Sequence, residues 1–136
     1  MATAKWATPS SRSSNIASTT ANSLASGSES TAVTYDNSTN KDLYALVTLK
    51  LGSITPSTGG SVSLRVTLND GTDTADRIGG ELYSEPLISG ASAKVVIFKI
   101  NLSPFPMRLS IINSSGATFA SSGNELYVRP YNEEVN

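Results

Sequence analysis

The chain has 136 residues, of which 38% are hydrophobic and only 15% charged; its formal net charge is −1, and it contains no His and no Cys. The charge balance excludes the basic surface that general nucleic-acid binding needs, and gives no strong attraction to an anionic membrane. Without His or Cys there is no Ser-His-Asp triad, no Cys-His dyad, no disulfide framework and no imidazole or thiolate metal site.

A chain of this length suits one domain that buries about two thirds of its unfolded surface. Ser, Thr, Gly and Asn fill the remainder, which suits the wet faces of strands and turns better than those of helices. No apolar run approaches the ~20 residues of a membrane helix. The first residues, MATAKWATPSSRSS, lack the apolar centre of a secretory signal. The protein is therefore expected to act without Sec export, or to leave by lysis, and its lack of Cys fits a reducing cytosol.

Residues 1–29 differ from the rest. Trp6, Ile16 and Leu24 are the sizeable apolar groups in a run of Ser, Thr, Ala and Asn. Such a run cannot fold alone. It reads either as a flexible tail or as an arm ordered by lying on a neighbouring subunit, with a reach of up to ~100 Å when extended. Trp6, Arg12, Ile16 and Leu24 are the candidate inter-subunit contacts. Ser14 to Ser26 could form a weak helix stopped by Gly27.

From Thr31 the pattern alternates with a period of two, which places successive side chains on opposite faces of a sheet. Strands are expected at Thr31–Tyr35, Leu43–Leu51, Ser61–Asn69, Glu81–Ser84, Ser92–Asn101, Met107–Asn113, Ala117–Ala120 and Glu125–Tyr131. Asp36 to Asn40 and Asn69-Asp70-Gly71-Thr72 read as turns. Ser92–Asn101 (SAKVVIFKIN) is apolar on both faces, which predicts a central strand. Pro130 predicts an edge position, or the end of its strand. About eight short strands predict an all-β fold: a two-sheet antiparallel sandwich, jelly-roll-like, spanning residues 30–136 behind an extended N-terminal arm. An immunoglobulin-like sandwich is the runner-up.

Little in the sequence suggests chemistry. The abundant Ser reads as polar surface, since only a chance Ser-Lys pair could activate it. Asp70, Asp73 and Asp76 form an oxygen-rich loop that does not match an EF-hand and reads as a solvated turn. Glu81 and Glu85 could pair as glycosidase carboxylates only across a cleft, which the sequence does not indicate. Glu133 and Glu134 read as groups facing water. Tyr35, Tyr44, Tyr83, Tyr127 and Tyr131 either stack on sugars or pack on the sandwich. The sequons at Asn37 and Asn113 matter only in a eukaryotic secretory setting. No cofactor, metal or catalytic residue is expected.

Three stretches carry a family resemblance. ANSLASGSESTAVTYD (Ala21–Asp36) runs into Asn37 and Ser38. From Tyr44 to Val66, two alternating strands flank a Pro/Gly loop. The ending is LSIINSSGATFASSGNELYVRPYNEEVN. Together they resemble small virion structural proteins of tailed bacteriophages, which carry an NSLA-G segment, a DN-T turn, an N-S/T-G hairpin and a closing SGN-L---PYNE strand. Asn101 to Met107 departs from that pattern. The resemblance implies a non-enzymatic part of the virion, assembled in the host cytoplasm. A capsid cement or decoration protein comes first and a tail or baseplate part second. The implied partners are the major capsid protein and further copies of this chain. From another class, the tyrosines leave a carbohydrate-binding module as an alternative.

Overall fold

The computed structural model describes residues 4–17, 19–70, 72–73 and 81–135. Among the described residues nine strands carry the fold: β1 (Ala4–Trp6), β2 (Val33–Asp36), β3 (Tyr44–Ile54), β4 (Ser61–Thr67), β5 (Glu81–Pro86), β6 (Ser92–Asn101), β7 (Pro106–Ser114), β8 (Glu125–Tyr131) and β9 (Glu133–Val135). They form a four-stranded sheet in the order β2-β7-β4-β5, a three-stranded sheet in the order β6-β3-β8, and the short pair β1-β9. Every pairing is antiparallel. The chain is an all-β sandwich, and no helix occurs among the described residues. Apart from the β4–β5 link, successive strands from β2 to β8 change sheets. The immunoglobulin order, ABED against CFG, is not followed.

Alternation builds the core. Ala45, Val47, Leu49 and Leu51 of β3 point inward, with Val96, Phe98 and Ile100 of β6 on one side and Leu126 and Val128 of β8 on the other. Val62, Leu64 and Val66 of β4 meet Met107, Leu109 and Ile111 of β7 in the same cluster. Each of the larger side chains among these contributes about 2 kcal/mol by leaving water.

Three expectations meet a different local structure. First, within this chain the leader lies on its own body. Its amides at Ala7, Ser10, Ser13 and Ile16 donate to the carbonyls of Asn132, Pro130, Val128 and Leu126. The leader thus winds three residues for every two of β8. In return, Leu126 N–H donates to Asn15 Oδ1 (3.0 Å) and Val128 N–H to Ser13 Oγ (2.9 Å). Pro130 has no N–H to satisfy. The edge of β8 is therefore closed by side-chain acceptors, which explains the leader's polar composition. Second, the expected Ser14–Ser26 helix is instead a set of turns, with Ala17 and Ala21 buried in the core. Third, Ala117–Ala120 is not a strand. Its backbone is bound to the leader, with Phe119 N–H on Leu24 O and Ser23 N–H on Ala120 O, while Phe119 fills the core.

Buried asparagines fasten these irregular segments. Asn113 donates to Leu24 O and Ala117 O (both 2.8 Å) and accepts from Ser115 N and Oγ. Asn37 joins Asp42 to Ser103, and Asn124 joins Asn22 and Ala120 to Gly52. Gly52 is needed there, because a Cβ would stand 2.7 Å from Ser122 O and 2.9 Å from Ala120 Cβ. Both sequon asparagines are thus buried fasteners, not surface acceptors.

Candidate functional site

The outer face of the three-stranded sheet is laid out in rows across β6, β3 and β8. The registers give Asn101–Tyr44–Tyr131, Lys99–Leu46–Arg129, Ile97–Thr48–Tyr127 and Val95–Lys50–Glu125. The face mixes aromatic, aliphatic and cationic groups, and no second sheet covers it.

The first row is aromatic. Tyr44 and Tyr131 stack with centroids 5.3 Å apart, and Trp6 meets both edge-on at 5.9 and 5.3 Å. The Tyr44 hydroxyl donates to Glu133 Oε1 (3.2 Å), and the Glu133 charge pushes the Tyr44 pKa up. Trp6 is still 59% exposed. Beside it opens a groove of about 440 Å³, with Leu46 as floor and Lys99 and Arg129 on its flanks. In the next rows Arg12 lies 3.7 Å above the Tyr127 ring, and Lys50 pairs with Glu125 at 3.6 Å. The hydrogen bond to Glu125 raises the Tyr127 pKa most, and Arg12 works against that rise.

The second feature is the edge of β6. Apolar residues on both faces predicted a central strand, yet β6 is the outermost strand of its sheet. The apolar residues of its outer face are open, with Val95 62% and Ile97 52% exposed. Leu102 N–H donates to Leu43 O, which sets the alternation. Even-numbered residues of β6 bond to β3, while the backbone groups of Val95, Ile97 and Lys99 point to the open edge. Ile88, 81% exposed, and Leu87 continue the apolar surface around a groove of about 290 Å³. The neighbouring edge strand β5 carries Glu81, Glu85 and Pro86, which discourage strand pairing. On β6, Lys94 is folded back onto Gly90 O and Ser92 Oγ. That leaves the Val95–Ile97 stretch unguarded.

The leader's candidate contacts all meet this chain's own body. Trp6 joins the tyrosines, Arg12 covers Tyr127, and Ile16 and Leu24 pack against the core. The five tyrosines divide: Tyr35 and Tyr83 pack on the core, while Tyr44, Tyr127 and Tyr131 belong to the outer face. Asp70 accepts the amides of Thr72 and Asp73, which lower its pKa, as in a turn. Asp76 lies outside the described residues. Glu81 accepts the Tyr83 hydroxyl, and Glu85 is exposed on β5. Glu133 begins β9. Sequence reasoning missed Leu46, Lys99 and Arg129. The alternation held part of the signal: Leu46 shares the parity of Tyr44 on β3 and Arg129 that of Tyr131 on β8, while Lys99 is placed beside them by the β3–β6 register. Comparison with protein-family models, with curated proteins and with solved structures returned no match.

Proposed function

We propose that this chain is a non-enzymatic structural protein of a tailed-bacteriophage particle, a head decoration or cement subunit that docks through the open edge of β6. One observation carries the docking: β6 has the composition of a covered strand, yet from Val95 to Lys99 its outer edge pairs with no strand among the described residues and its outer face is open, the Asn101 amide at its end alone meeting Tyr83. An extended segment of the major capsid protein would add there as a further strand. Its backbone would meet Val95, Ile97 and Lys99, and its side chains would cover Val95 and Ile97. A stable contact usually buries ~1,600 Å² in total, and repetition over a shell adds avidity. The phage setting rests on the turn signatures of Asn22–Gly27, Asp36–Thr39 and Ser122–Glu133. The leader supports a cement role in a new way. By closing the β8 edge within one chain, it leaves the three-stranded sheet of each copy with one open edge, that of β6.

The test is cryo-electron microscopy of particles made with the natural chain or with Ile97→Lys. The expected result is sandwich density on the head, β6 against the shell, that disappears in the variant while the purified variant melts normally. Density confined to the tail would reject the cement role. Particles lacking the protein would reject the proposal.

A further inference from the structure

Lys99 and Arg129 are the register partners of Leu46 on its two sides. Strand spacing places their Cα atoms about 10 Å apart, across an apolar floor. The other two cations of this face are engaged, Lys50 by Glu125 and Arg12 by the Tyr127 ring. Lys99 and Arg129 have no carboxylate partner among the described residues. The exposed indole of Trp6 stands at the groove's end, held by Tyr131.

We propose that this groove binds a polysaccharide that carries carboxylated sugar units. The apolar face of a sugar ring stacks on the Trp6 indole, and sugar carboxylates reach Lys99 and Arg129. One observation favours a glycan over a peptide. The floor strands β3 and β8 have both edges occupied, β3 by its neighbours and β8 by the leader, so the groove floor offers no backbone ladder; the open ladder lies beyond it, at the far edge of β6. What remains is ring stacking and charge, and a uronic acid unit joins an apolar ring face to a carboxylate. A nucleic acid would need a row of cations along its phosphates, and this groove has two. The inference is independent of the particle setting; it shares Lys99 with the β6 edge, whose backbone faces that edge while its side chain lines the groove, and otherwise uses a different surface.

Trp6 is the only tryptophan, so its fluorescence reports directly on the site. The full chain is titrated with polygalacturonate and, separately, with its fully methyl-esterified form, which keeps the rings and loses the charge. The expected result is a saturable change in Trp6 emission with polygalacturonate and at least about tenfold weaker binding of the ester. Isothermal titration of Lys99→Gln and Arg129→Gln should each show several-fold weaker binding, and the double variant none, with unchanged melting temperatures. Trp6→Phe should retain part of the binding and Trp6→Ala little. No binding of polygalacturonate or of hyaluronate would overturn the proposal. So would unchanged binding by the double variant, or equal binding of oligo(dT), which would mean general attraction of polyanions.

Discussion

The side chain of Asn113, fully buried on β7, donates to the carbonyl of Leu24 at 2.8 Å, and that carbonyl also accepts the amide of Phe119. One leader carbonyl thus ties the leader to β7 and to the segment that precedes β8. Asn113 uses both amide hydrogens and both lone pairs of its oxygen in this way. Replacing it with Ala leaves several buried partners unsatisfied, at a cost of about 3 kcal/mol. Asn113→Ala should lower the melting temperature by roughly 10 °C. Calorimetry checks this, and a change within about 2 °C would remove the hub role.

Removing residues 1–16 uncovers the β8 edge. The truncated chain should associate through that edge and melt earlier than the full chain. Light scattering after size exclusion checks the first effect. A truncated chain that stays monomeric with an unchanged melting temperature would contradict the edge-closing role.

Glu29 connects the leader's end to the outer face of the four-stranded sheet, accepting from Arg65 Nε (3.2 Å) and Ser110 Oγ (2.6 Å). Both ionic side chains are largely shielded from water. Glu29→Ala removes the acceptor that Arg65 Nε and the Ser110 hydroxyl share. It should destabilise by about 2 kcal/mol, read by urea denaturation with an unchanged slope.

Alkaline pH offers a further test. The Tyr83 hydroxyl is pushed up to about 12, first by burial and then by its bond to Glu81, with the Asn101 amide working against the rise. Tyr35, Tyr44 and Tyr127 shift upward as well, from an ordinary value of 10.0. The folded chain therefore holds these protons where the unfolded chain has begun to lose them. Their contribution is whole below pH ~10 and is lost as the pH climbs toward about 12. The melting temperature should fall over that window, and Tyr83→Phe should fall less. A parallel fall in both would exclude Tyr83 as a source.

Period-two alternation made the body legible: the inward residues of β3, β4, β6 and β7 follow directly from their spacing. It could not order the strands. The apolar outer residues of β6 signal that something covers them, and sequence cannot say whether the cover is a neighbouring strand or a partner. The leader was hidden for another reason. Ser13 and Asn15 satisfy β8 by side-chain acceptors, which leave no periodic trace. Lys99 and Arg129 lie on different strands, so only the register through Leu46 shows that they share a groove.

Hydrogen exchange, read residue by residue on the free protein and on the protein bound to particles, bears most directly on how this chain docks. In the free protein the amides of Ser13, Ile16, Leu126 and Val128 should be protected, while those of Val95, Ile97 and Lys99 exchange quickly. On the particle the β6 amides should slow by at least about tenfold, with the leader unchanged. Leader amides that gain protection only on the particle, with β6 indifferent, would mean that the chain grips by its leader and not by its open edge.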